Sequence, residues 1–244
     1  MLSIIIPTYN EEKYLSRLLQ LIKKQTLQPD EIIIADNHST DKTVSIAKKF
    51  DCIIIKGGTP AQGRTAGGKA ATGNILLFLD ADVVFKGINF LKRIINDYKN
   101  NQNSVATVWF VSQEKNFFNK LLCLIANLTK KINLFIAKKW KTVLGDYGIF
   151  ILCHRSVFKT VGRFPSLKGY HEDTFFFREV VKKGARYIVL PEKIYISGRR
   201  LKNKNFFRLL TWGTLCLLII VISFFKLRVN RDMLRWYEEM RKGR

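Results

Sequence analysis

A chain of 244 residues suffices for one α/β domain of ordinary size and a short appendage, and a hydrophobic content of 47% excludes wholesale disorder. Lys and Arg number 42 against 19 Asp and Glu, and the resulting charge of +23 implies an anionic partner surface, either nucleic acid or a membrane rich in acidic lipids. The four cysteines, Cys52, Cys123, Cys153 and Cys216, form neither a C-x-x-C pair nor a zinc-like spacing, which argues against a disulfide framework and suits a reducing compartment.

In chain order, Leu2–Ile6 is the first expected strand; with no basic n-region or cleavage site, the opening residues do not read as a signal peptide. Residues Glu11–Gln25 carry Leu15, Leu18, Leu19 and Ile22 at helical spacing. Strand Glu31–Ala35, helix Lys42–Phe50, strand Cys52–Ile55, a helix near Thr65–Thr72 and strand Ile75–Leu79 follow. Strands alternating with helices at these lengths predict βαβ units and a parallel sheet. Beyond Asp82 the pattern loosens: helix Phe90–Tyr98, strand Ser104–Val111, an apolar stretch Phe117–Lys139 broken by lysines, an extended Gly145–Cys153, helix His171–Lys183, and two short strands Arg186–Leu190 and Ile194–Ser197. Phe206–Phe225 is the most apolar stretch, and a basic tail follows it.

Ligands of open α/β sheets bind beyond the carboxyl ends of the strands, so the polar residues there come first. They are Pro7-Thr8-Tyr9-Asn10-Glu11, Asp36-Asn37-His38-Ser39 and Asp80-Ala81-Asp82. Two carboxylates one residue apart at the end of an apolar strand are costly unless a cation balances them, and hard oxygen ligands suit Mg²⁺ or Mn²⁺ shared with substrate phosphates. The plainer alternative is a solvated acidic turn, and for Asp36 and Ser39 a turn leading into a helix N-cap.

These three segments, together with His171-Glu172-Asp173, occur in one order and resemble the family 2 glycosyltransferases over about residues 1–200. The resemblance implies an α/β, GT-A (Rossmann-like) nucleotide-sugar-binding domain with a mixed, mostly parallel sheet over 1–205. A hydrophobic helical segment and basic tail over 206–244 are expected to associate with a membrane. It implies that Pro7, Thr8, Tyr9 and Glu11 line a nucleoside pocket and that Asp36 hydrogen-bonds the base. Asp80 then contacts the ribose or sugar, and Asp82, with Asp80, holds Mg²⁺ or Mn²⁺ against the diphosphate. Arg64 lies in Gly63-Arg64-Thr65-Ala66-Gly67, where relatives carry Arg-Asn-x-Gly, and is expected to pair with phosphate although Thr65 replaces the Asn. Asp173 is implied to be the general base and Glu172 to position the acceptor, against the alternative that both merely complement a helix N-terminus. Arg199 and Arg200 stand in place of a longer Q-x-x-R-W motif and are expected either to neutralise the leaving diphosphate or to face lipid headgroups.

Leu209–Phe225 is seventeen uncharged residues, at the short limit for a span, and a span would export a basic tail against the positive-inside tendency. A segment lying in or re-entering the cytoplasmic leaflet is therefore expected. Phe117–Lys139, with lysines flanking an apolar face, reads either as an interfacial helix or as a helix packed on the sheet. The expected activity is inverting, metal-dependent transfer of a sugar from a nucleotide-diphosphate donor to a hydroxyl of a lipid-linked or membrane-borne glycan acceptor at the cytoplasmic membrane face. Anionic lipids are expected partners. A polyprenyl-phosphate acceptor, as in proteins resembling dolichol-phosphate mannose synthase, is the alternative. A basic nucleic-acid-binding protein is the reading from charge alone, which no zinc, helix-turn-helix or RNP-like motif supports, so no nucleic-acid partner is expected.

Overall fold

Runs of β-branched and leucine residues bury both faces of the first strands, and that burial organises the molecule. The computed structural model describes residues 1–165 and 172–197. Strand β1 (Leu2–Thr8) carries Ile4, Ile5 and Ile6 with no exposed surface, as a central parallel strand requires. Strands β2 (Glu31–Asp36) and β4 (Ile75–Leu79) flank β1 in parallel, and β3 (Ile53–Lys56) extends the β2 side, also in parallel. Beyond β4 lie β6 (Phe150–His154), β5 (Ser104–Ser112) and β7 (Arg186–Ile196), giving the order β3-β2-β1-β4-β6-β5-β7 among the described residues. Strand β6 runs antiparallel to β4 and β5, whereas β5 and β7 pair in parallel, so the sheet is mixed and mostly parallel, as expected.

Helices cover both faces. On one, α1 (Glu12–Lys23) buries Leu15, Leu18, Leu19 and Ile22, and α4 (Phe90–Tyr98) buries Phe90, Leu91, Ile94 and Tyr98. Both pack with Ile4, Ile6, Leu77 and Leu79 in one apolar cluster, beside α2 (Thr43–Lys49). On the other face, α3 (Pro60–Ala70), α6 (Arg155–Val161) and α7 (Glu172–Lys182) cover Ile5, Ile33, Leu76 and Phe78. Helix α5 (Phe117–Trp140) packs on β5 and β7.

Most expected bounds lie within two residues of the observed ones, and three expectations differ by more. Helix α3 starts at Pro60 instead of Thr65, because Thr59 and Gln62 form a capping box and Pro60 occupies the first turn. The stretch Gly145–Ile149 is loop, and only Phe150–His154 is strand. The two short terminal strands are one strand, β7, whose register with β5 shifts between Val108 and Trp109. Pro191 falls within that irregularity on an edge strand, where a residue lacking an N–H is tolerated. The segments expected at His171, Arg199, Arg200 and 206–244 lie outside the described residues.

The topology fixes where a ligand can sit. From β1 the chain builds outward to β3 and then returns to β4 on the other side, so the carboxyl ends of β1 and β4 diverge at a switch point. Because β6 is antiparallel to β4, its entry loop arrives at that same end, and Asp80 donates its backbone N–H to the Ile149 carbonyl at 3.2 Å.

Candidate active site

At the ends of β1 and β2, Thr8 and Asp36 are both buried. One Asp36 carboxylate oxygen accepts from the Thr8 hydroxyl at 2.9 Å and the Ser39 hydroxyl at 2.6 Å, and the other accepts from the Ser39 backbone N–H at 2.8 Å. Ser39 is thus held to Asp36 and does not cap α2, where Asp41 accepts from the Thr43 N–H instead. The two loops are laced together: the Asn10 N–H donates to Ser39 Oγ, the Glu11 N–H to Thr43 Oγ1, and the Thr40 N–H to Asn10 Oδ1. Pro7 and Glu11 are half-buried, while Tyr9 is 59% exposed, which excludes the ordinary core packing that an aromatic residue usually has. Beside Asp36, Asn37, Lys56, Gly57, Gln62, Thr65 and Arg163 line a cleft of about 550 Å³.

At the end of β4, Asp80 and Asp82 are each 5% exposed. Arg64, on α3, is buried between carboxylates. Its Nη2 donates to Asp80 Oδ1 at 2.7 Å and to the Gly148 carbonyl at 3.1 Å, and its Nη1 donates to Glu172 Oε1 at 2.8 Å. Only Nε, also buried, lacks a hydrogen-bond partner. Arg64, expected to pair with phosphate, bridges Asp80 and Glu172, and its two terminal nitrogens are matched by these two carboxylates. Glu172, expected to position an acceptor, keeps a quarter of its side chain exposed beside this bridge.

Asp173 sits one residue into α7. Its Oδ2 accepts from the Gly148 backbone N–H and its Oδ1 from the Thr174 N–H at 2.8 Å. The approach is so close that a Cβ at position 148 would stand 2.6 Å from Asp173 Cβ and 3.3 Å from Arg64 Cζ, so only glycine fits. Burial raises the Asp173 carboxyl to a pKa of about 6; the Arg64 cation and the two backbone donors oppose the rise, and the Glu172 carboxylate adds to it. A carboxylate oriented by two fixed donors and titrating near neutrality suits proton abstraction.

Among the described residues, no three His, Cys, Asp or Glu side chains converge as a metal site. Asp80, one of whose oxygens is paired with Arg64, and Asp82 supply hard oxygen donors of the kind that bind Mg²⁺ or Mn²⁺ together with phosphates, so the residues fit part of such a cation's coordination.

The sequence reading missed Gly148, which serves the site through its backbone, and it misjudged Lys130. Counted among the basic residues around an apolar helix face, Lys130 is fully buried and donates to Asp146 Oδ1 at 2.9 Å, with its ammonium 3.3 Å from the Phe110 ring centroid. Asp146 Oδ2 also accepts from the Tyr187 hydroxyl at 2.6 Å. Thr174, next to Asp173, binds the Asp146 backbone on both sides. The available clue was Asp146 itself, the first acid after Glu114.

The family model described as Glycosyl transferase family 2 matches residues 3–162. The chain is 34% identical over 90 residues to the poly(ribitol-phosphate) beta-N-acetylglucosaminyltransferase TarS of Staphylococcus aureus, covering 33% of this chain and 16% of that protein. It is 29% identical over 204 residues to the O-antigen chain rhamnosyltransferase WbaN of Salmonella anatum, covering 78% of this chain and 64% of that one. Among solved structures, S. aureus TarS 1–349 in complex with UDP-GlcNAc superposes with a TM-score of 0.64 at 22% identity, over 84% of this chain and 61% of that one. The mannosyltransferase PcManGT from Pyrobaculum calidifontis, in complex with GDP-Man and Mn²⁺, gives 0.61 at 22% identity, over 80% and 56%. The chain therefore spans less than two thirds of the length of these relatives.

Proposed function

The chain belongs to glycosyl transferase family 2 and has its GT-A fold, and we propose that it is an inverting glycosyltransferase that moves a sugar from a nucleotide diphosphate to a hydroxyl of a lipid-linked or membrane-borne glycan at the cytoplasmic face of a membrane. The observation that carries this reading is the convergence of Asp80, Arg64, Glu172, Gly148 and Asp173 at the switch point of the sheet. Solved structures sharing the fold hold UDP-GlcNAc or GDP-Man with Mn²⁺, which supports a nucleotide-sugar donor here.

In this mechanism the exposed Tyr9 ring, Pro7, Thr8 and Glu11 border the nucleoside, and the oriented Asp36 carboxylate lies at the base. Asp80 meets the ribose or sugar, and Asp82, with Asp80, holds a divalent cation. When bound, that cation offsets diphosphate charge. Arg64 acts through Asp80 and Glu172, fixing both carboxylates. Glu172 positions the acceptor. The acceptor hydroxyl attacks the anomeric carbon from the face opposite the diphosphate and its proton passes to Asp173, while the bond from that carbon to the phosphate oxygen breaks and the configuration inverts. Arg199 and Arg200, outside the described residues, balance charge on the departing diphosphate. The membrane-borne acceptor is supported by the charge of +23 and the apolar stretch 206–225.

A thermal-shift panel of nucleotide sugars with Mn²⁺ tests the donor, and NMR of the transferred sugar tests the stereochemistry. At least one donor is expected to raise Tm and to yield a product of inverted anomeric configuration. Retention of configuration, or no donor that stabilises the fold, would sink the proposal.

A further inference from the structure

Helix α5 buries one side and leaves the other to solvent in a chemically one-sided way. Phe117, Leu124, Leu128 and Phe135 are 72%, 65%, 55% and 61% exposed, and with Leu121 they form a single stripe at offsets of 4, 7, 11 and 18 residues from Phe117. Lys120, Lys131 and Lys138 run along one flank of that stripe and are exposed. Trp140, with Lys139 5.1 Å from its ring centroid, ends the helix in solvent. From Lys115 to Gly145 the chain has no acidic residue.

The opposite side of the helix is tied to the active-site loop. Lys130 pairs with Asp146, and Asn133 donates to the Gly145 carbonyl at 2.7 Å and accepts from the Leu144 N–H at 2.9 Å. That loop continues into Gly148, whose N–H orients Asp173.

We propose that α5 is a bilayer-docking helix, its apolar stripe entering the headgroup–acyl boundary of an anionic membrane while Lys120, Lys131 and Lys138 bind lipid phosphates. Its buried side carries that position to the loop holding Asp173. The charge selects this occupant: a second copy docked on the same face would set lysines against lysines with no carboxylate among them, whereas anionic headgroups complement them. Among the described residues no helix is long and apolar enough to cross a membrane, so α5 lies on the surface. The proposal deepens the membrane-acceptor reading above and rests on it for its purpose, yet its test does not depend on transfer.

The test uses the full chain with phosphatidylcholine vesicles, with or without phosphatidylglycerol. Wild type is expected to cosediment with the anionic vesicles. Changing Leu124, Leu128 and Phe135 together to Ser should weaken that binding about tenfold or more. Changing Lys120, Lys131 and Lys138 together to Gln should abolish the preference for phosphatidylglycerol. All three residues of each set are exposed, so donor hydrolysis in solution should match wild type. If a variant fails to fold, the Trp140 contribution to emission, taken as wild type minus Trp140→Phe, should shift to the blue on anionic vesicles. Wild-type binding by the Ser variant would overturn the proposal and assign membrane contact elsewhere, residues 206–225 included. A wild-type dimer that the Ser variant makes monomeric, with vesicle binding unchanged, would overturn it in favour of self-association. Vesicle binding without any donor hydrolysis would instead count against the transferase reading alone.

Discussion

Asp173 and Gly148 form the contact on which the proposed chemistry turns. With a carboxyl titrating at about 6, turnover should rise as pH increases through that value, because only the ionised form accepts a proton. Asp173→Asn should lower kcat by about 10²–10⁴-fold, leave donor KM nearly unchanged and remove the acid limb of the pH–rate profile. Retention of that limb in the Asn variant would assign it to another group. The same shift has a stability sign: the folded carboxyl pKa lies above the ordinary 3.8, so this group's contribution declines as pH rises from about 4 to 6. The melting temperature of wild type relative to the Asn variant should fall across that window. Gly148→Ala brings a Cβ to 2.6 Å from Asp173, so the loop or the carboxylate must move, and kcat should fall with global stability altered less. Gly148 was not legible in the sequence as a site residue, because a backbone donor leaves no side-chain mark. Asp80, Asp82, Glu172 and Asp173 were legible, because carboxylates at the end of an apolar strand or at the start of a helix are chemically conspicuous.

At the scale of elements, periodicity and capping account for most of what formed. The expected helix Glu11–Gln25 became α1 because its leucines recur at helical spacing, and Thr59 with Gln62 moved the start of α3 five residues earlier than expected. Helix α5 shows where periodicity falls short, since Lys130 carries the same letter as the exposed lysines and yet lies on the face against Phe110 and Asp146. Burial lowers the Lys130 pKa, and the adjacent Asp146 carboxylate pulls it back. Lys130→Met would leave Asp146 a buried charge with no cation beside it, and should cost about 3–5 kcal/mol in denaturant unfolding. Adding Asp146→Asn to that variant should recover part of the loss; no recovery would mean that the cost comes from packing instead of charge.

For the molecule as a whole, the sheet order brings residues 64, 80, 148, 172 and 173 together from four separate segments. Two carboxylates at the carboxyl end of β4, with the nucleotide-diphosphate donor proposed above, predict metal-dependent turnover. EDTA should abolish transfer, and Mg²⁺ or Mn²⁺ should restore it; full turnover in chelator would remove Asp80 and Asp82 from the metal role. Because Arg64 neutralises both Asp80 and Glu172, Arg64→Met should lower kcat and shift the acid limb of the pH–rate profile upward, the direction expected when a cation beside Asp173 is lost. An unchanged limb would separate Arg64 from the base.

The sequence by itself determined the layered α/β architecture, the family, and which carboxylates lie at strand and helix ends. Those features follow from local periodicity and from hydrophobic runs too apolar to remain exposed. Only the tertiary structure decided that Arg64 bridges carboxylates, that Gly148 orients Asp173, and that Lys130 is buried while its neighbours on α5 are not. Each of these depends on an antiparallel strand, β6, carrying its entry loop back to the end of β4. Strand direction within a sheet is set by long-range pairing and packing, which no window of local sequence encodes.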